Sequence, residues 1–260
     1  MSGYVFFKKE VKAIFKTYRI WLIPLIFVFF GILSPVSAKF LPAILKAAMQ
    51  ADTTQKMFLQ IKIPEPTQTD AYLQWLKNLS QFGMLTLILI SMGLVAEEKA
   101  RGTLALIVTK PVSRTSIVIS KFLAQTGLFT MSAAIGVGTC YLYTFLLFDK
   151  ASLRPLIFSS IAFVVYGLLI LAVTLFFSTL MRNQLGAAGL GLLSYFAFSI
   201  IAGIGHGLDR YSPGALSGIA SKIISGSQAF AKAYPAIGIS VALSIVMVVV
   251  AALVLERQEI

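Results

Sequence analysis

The sequence predicts an all-α integral membrane protein. It has six transmembrane helices, an N-terminal amphipathic helix lying in the interface, and both termini in the cytoplasm. Three observations predict this. Of 260 residues, 58% are hydrophobic and 12% charged, with a mean hydropathy of +0.87, whereas soluble domains carry about 25% charged residues. Six apolar segments approach or exceed the span of about 20 residues that a bilayer requires. Basic residues are densest in the segments that an even span count places on one side.

The first 19 residues read as the interfacial helix. Phe7, Val11, Ile14, Phe15, Tyr18, Trp21 and Leu22 fall at helical spacing on one face. Lys8, Lys12, Lys16 and Arg19 occupy the other, with Lys9 beside them. Such a helix lies apolar face down, its lysines among the headgroups.

The six spans read as Ile20–Val36, Leu79–Ala96, Phe122–Phe148, Leu156–Leu180, Leu185–Gly205 and Ala236–Leu255. The third and fourth are long enough to tilt or protrude. Lys8 to Arg19, then Lys99, Arg101, Lys110, Arg114 and Lys121, then Arg182 and Arg257, all fall on one side. The positive-inside rule makes that side cytoplasmic. The opposite loops also hold basic residues, but spread over longer segments.

In the first outer loop, Phe40–Leu45 either continues the first helix or lies on the outer surface. Pro64 and Pro66 break the chain, because the residue before a proline avoids the helical region. Thr69-Asp70 then reads as a helix start leading into the second span. In the second outer loop Leu216, Ile219, Ile223 and Ile224 predict a short surface helix.

Several chemistries are excluded. One cysteine, Cys140, forms no internal disulfide or thiolate cluster, and one histidine, His206, forms no multi-histidine metal site. No GxxxxGK[ST] phosphate loop occurs. No acidic residue lies deep in a span, which argues against a proton- or sodium-coupled carrier. An integral membrane enzyme would need a polar cluster within the spans, and none is evident. The net charge of +12 sits on so apolar a chain that it reads as a partner for lipid headgroups, not nucleic acid. Small residues, among them Gly136 and Gly138 in the third span and Gly189 and Gly191 in the fifth, permit close helix approach. Packing within one subunit, a dimer seam and a substrate lining all remain open for them.

The most patterned stretch is the charged island between the second and third spans. It runs from Glu97, Glu98 and Arg101 through Gly102, Thr103, Leu104 and Leu106 to Pro111, Ser113 and Arg114. Gly102-Thr103 supplies a flexible joint, Leu104–Val108 a short helix that Pro111 stops, and Ser113 a cap for the third span. This island resembles the membrane subunits of type-2 ATP-binding-cassette (ABC-2) transporters. Those carry an acidic residue, Gly-Thr-Leu, an apolar stretch, Pro-hydrophobic-Ser-Arg and a later Lys. Glu98, Gly102-Thr103-Leu104, Pro111-Val112-Ser113-Arg114 and Lys121 match; Ala105 departs, since many relatives carry Glu there.

The resemblance covers the whole chain as one transmembrane domain, residues 1–260. It implies a permease subunit of an exporter in the bacterial cytoplasmic membrane, paired with a second, identical or different, membrane subunit. A separate cytoplasmic ATPase would bind ATP and Mg²⁺, and this chain would carry no cofactor. Residues 97–116 would dock in a cleft of that ATPase and lever the second and third spans as the ATPases close. The rival reading is a membrane anchor or sensor that couples an ATPase to an envelope or signalling process without transport.

Overall fold

The computed structural model describes residues 3–51, 65–103, 113–149, 151–204 and 211–258. Among these, all regular structure is helical. The elements are α1 (Gly3–Lys16), α2 (Arg19–Ala51), α3 (Gln68–Asn78), a π-helical turn (Leu79–Gly83), α4 (Met84–Ser91), α5 (Gly93–Ala100), α6 (Arg114–Phe148), α7 (Leu153–Leu180), α8 (Gln184–Gly203), α9 (Ala215–Ile224), a 3₁₀ turn (Phe230–Ala233) and α10 (Tyr234–Arg257).

Six helical segments are long and apolar enough to cross a membrane: Arg19–Leu45, Gln68–Ala100, Arg114–Phe148, Leu153–Leu180, Gln184–Gly203 and Phe230–Arg257. The six expected spans are all present, and most are longer than their apolar runs. The first continues through Phe40–Leu45 despite Pro24, Pro35 and Pro42. The second begins at Gln68, where Asp70 accepts from the Thr67 amide (2.9 Å) and hydroxyl (2.8 Å) in a capping box. The third begins at Arg114, capped by Ser113, whose hydroxyl accepts from the Ser116 amide at 3.3 Å as expected.

The second and fourth spans form the centre. Two-thirds of their apolar windows (67%) are buried, against 28% for the first, third and sixth and 17% for the fifth. Trp75, Leu79, Met84 and Ile88 of the second span and Phe163, Ile170 and Leu171 of the fourth belong to one core. Phe27, Phe129 and Phe163 bring the first and third spans to it, with ring centroids 5.8 to 6.2 Å apart. Leu185, Leu193, Phe196 and Ile200 of the fifth span point outward.

Two expectations are corrected. The helix in the second outer loop, α9, forms as expected, but only its Gly218 and Lys222 side is at the surface: Leu216, Ile219, Ala220 and Ile223 are buried, and α9 packs on α7. Its amphipathic stripe meets protein. Gly214 makes the approach possible, because a Cβ there would stand 2.1 Å from the Phe198 carbonyl oxygen of α8. Gly214→Ala is therefore expected to unseat α9, with faster protease cleavage after Lys222 and unchanged insertion of the spans. The second correction concerns α1, which ends at Lys16. Its bundle-facing stripe is Phe6, Glu10 and Ile14, while Phe15, Tyr18 and Trp21 are exposed. The predicted apolar face is thus shared: its Ile14 edge packs on the bundle and its Phe15, Tyr18 and Trp21 edge is exposed.

Candidate functional site

The site is the end of the bundle that carries both termini. It is built where the second span stops. α5 ends at Ala100, Arg101 is its C-cap, and Gly102 takes the left-handed conformation (φ +68°). The Arg101 amide donates to Glu97 (3.0 Å) and the Gly102 amide to Lys99 (3.1 Å). Thr103 adds a hydroxyl bond to the Glu98 carbonyl at 3.2 Å. This is a glycine-terminated helix end at the place where Gly102-Thr103 predicts a joint.

Glu97 and Glu98 therefore lie in the last turn of a helix, at its negative pole, where carboxylates are unfavourable without cations. Each has them. Glu97 pairs with Arg101 at 2.7 Å and with Arg19, at the start of the first span, at 3.4 Å. Glu98 pairs at 2.8 Å with Lys121 of α6. Lys121 is only 4% exposed and reaches a second carboxylate, Glu10 of α1, at 3.4 Å. One buried ammonium thus ties α1, the end of the second span and the start of the third. The second oxygen of Glu98 is buried with no hydrogen-bond partner among the described residues.

The C-terminal tail joins the same site. Arg114 donates to the carbonyls of Leu255 (2.9 Å), Glu256 (3.1 Å) and Gln258 (2.6 Å), covering the orphan acceptors at the end of α10. The Thr115 hydroxyl bonds the Glu256 carboxylate. Lys99 donates to the Thr179 carbonyl and to the Gln258 side chain. One turn inside, the Ser178 hydroxyl of α7 accepts from the Val95 and Ala96 amides, each at 3.0 Å, and donates to the Met92 carbonyl at 2.7 Å. It stitches the break between α4 and α5 to the central fourth span.

The structure therefore pairs Glu97 with Arg101 and Arg19, and beside it Glu98 with Lys121, gives Gly102, Thr103 and Ser113 capping roles, and places Arg114 on the tail. Leu104, Leu106, Pro111 and the short helix expected at 104–108 lie outside the described residues. Lys8, Lys12 and Lys16 are exposed. Lys9 is also exposed, lying over the Phe6 ring and 3.6 Å from Glu10. Sequence reasoning missed Ser178 and Gln258, gave Glu10 no partner, and took Lys121 as a motif position and a basic residue of the cytoplasmic side. One signal for Glu10 was available: it is the sole acidic residue among the first nineteen.

These ion pairs and hydrogen bonds join the end of the second span, α1, the start of the third span and the C-terminal tail at one end of the bundle. The profile of the ABC-2 family transporter proteins matches residues 4–260. The chain belongs to the ABC-2 transporter family. It is also 30% identical over 183 residues to YxlG, an uncharacterised transmembrane protein of Bacillus subtilis (strain 168), covering 70% of this chain and 69% of that protein. This ABC-2 chain is a multi-pass membrane transporter subunit. ABC-2 membrane subunits are not themselves ATPases, and membership implies association with an ABC ATPase subunit.

Proposed function

We propose that this ABC-2 chain is the permease subunit of an exporter, coupling ATP hydrolysis on a separate ATPase to substrate movement across a bacterial cytoplasmic membrane. Residues 97–116 are the coupling segment of its single transmembrane domain. ATP and Mg²⁺ bind the partner, and two membrane subunits, identical or different, share the complex. The termini and the Glu97–Lys121 network face the cytoplasm.

The observation that carries this reading is the bridge from Glu10 through Lys121 to Glu98. A force applied to residues 97–114 reaches α1 and the second and third spans together, because each holds a member of the bridge. The break at Met92, stitched by Ser178, and the π-helical turn at Leu79–Gly83 are the joints at which the second span can bend, as such interruptions often are. ATP binding then biases a two-state element without this chain doing chemistry.

Orientation is tested with single cysteines in a Cys140→Ala background. Ser225→Cys is expected to react with an impermeant thiol reagent in intact cells, and Thr103→Cys only after the membrane is opened. The reverse pattern would place the network outside and end the proposal.

A further inference from the structure

Arg154 opens the fourth span at the end of the bundle opposite the termini. It is exposed, its guanidinium stands 5.6 Å over the Phe158 ring, and it makes no hydrogen bond or ion pair among the described residues. The Ser152 side chain does not cap α7, so the positive end of that helix lies beside it. The charged residues of the facing elements, Lys222 of α9 and Lys232 of the 3₁₀ turn, are also basic, and Asp149, the C-cap of α6, is the acidic residue before α7.

Arg154 lines one cavity, and a second opens one turn further along α7, from Ile157. The first, of about 490 Å³, is walled by Phe158, Phe230 and Tyr234, with Gln228 at its edge. Phe158 and Phe230 stack at 4.7 Å, and Phe230 meets Tyr234 edge-on at 5.5 Å. The side-chain oxygen of Gln228 is buried with no partner among the described residues. The other, of about 350 Å³, is an almost wholly apolar groove between the third and fourth spans, bounded by Ala133, Ala134, Val137, Ile157, Ile161 and Val164. Both volumes lie within the roughly 300–1,000 Å³ of ligand sites. Ile157, Ile161 and Val164 repeat at helical spacing from Arg154. At about 1.5 Å per residue the groove reaches about 15 Å below the guanidinium.

A cation at headgroup depth, a buried acceptor beside it, an aromatic wall and an aliphatic channel below match one kind of molecule. We infer that this is a binding site for a single anionic phospholipid. Its phosphate rests on Arg154 and the positive end of α7, a headgroup hydroxyl donates to the Gln228 oxygen, and one acyl chain fills the groove. A neutral zwitterionic lipid would bring its own ammonium to an already basic rim and is disfavoured there. The site is far from the Glu97–Lys121 network and stands or falls independently of the coupling proposal.

The test uses the full chain in nanodiscs of mixed phosphatidylcholine and phosphatidylglycerol, with bound lipid counted by native mass spectrometry. One retained phosphatidylglycerol, favoured roughly tenfold over phosphatidylcholine, is the expected result. Arg154→Gln should bring that preference to near parity. Ala134→Trp, which fills the groove from its exposed side, should expel the lipid without touching the headgroup contacts. Lys77→Gln, an exposed charge at the same end, should leave retention unchanged. Helicity of each variant is checked by circular dichroism, and Thr130→Trp replaces Ala134→Trp should that variant not fold. Wild-type preference in Arg154→Gln, or retention in the groove-filled variant, would overturn the inference. So would displacement of the lipid by inorganic phosphate, which would show an anion site alone. Complete self-crosslinking of Ile161→Cys in a Cys140→Ala background would also overturn it, by showing that a second copy covers the groove.

Discussion

Lys121→Met is expected to free α1 from the bundle and abolish transport while leaving six spans inserted. The change removes the one cation between Glu10 and Glu98, and Lys121 itself is 4% exposed. Stripping one partner from a buried ion pair costs about 3–5 kcal/mol, because the remaining charges stay buried without compensation. The loss should appear as a lower melting temperature and as rapid protease cleavage near Lys16. Neutralising the carboxylates in the same chain, by Glu10→Gln and Glu98→Gln, should recover much of the stability, since the uncompensated charge is then gone. It should not recover transport, because the bridge that carries the motion stays broken. Full transport by Lys121→Met would show that the bridge transmits nothing.

Gly102→Pro should have the second large effect, and a different one. Proline fixes φ near −65°, whereas Gly102 sits at +68° and donates its amide to Lys99. The helix end has to rebuild, at a cost of about 3 kcal/mol or more. The position lies outside the spans, so insertion is unaffected. ATP hydrolysis by the partner should persist while transport stops, the signature of a broken link between them. Open space surrounds the position where a Cβ would lie. Gly102→Ala therefore tests the backbone alone and should cost about 1–2 kcal/mol. Gly102→Asn, which tolerates the left-handed conformation, should retain most transport. Equal loss in Asn and Pro variants would mean that the helix end does not depend on φ at this residue.

The six spans were legible because lipid demands long apolar runs, and that demand is written residue by residue. Their ends were less so. Gln68–Asn78 and Arg114–Lys121 are helical but polar on one side, so an apolar count stops short of them. α9 was predicted from its spacing, yet its burial depended on α7 and on the bare backbone at Gly214, neither of which periodicity reports. The bridge was the least visible feature. Glu10 and Lys121 are 111 residues apart, and a lysine at a span end reads equally well as a headgroup partner. Only the fold shows that Lys121 turns inward. Glu97, Glu98 and Arg114 were singled out from motif order, and the structure gives them partners that motif order did not contain.

The most direct measurement on the coupling segment is co-purification of an ABC ATPase with this chain from its own membranes. Leu104→Asp and Leu106→Asp would be compared with wild type and with Ser225→Asp at the exposed far end. A carboxylate forced into an apolar cleft without a partner is costly. Loss of the ATPase and of transport from both island variants, with both retained in wild type and Ser225→Asp, is the predicted result. Full retention of the ATPase and of transport in the two island variants would contradict it.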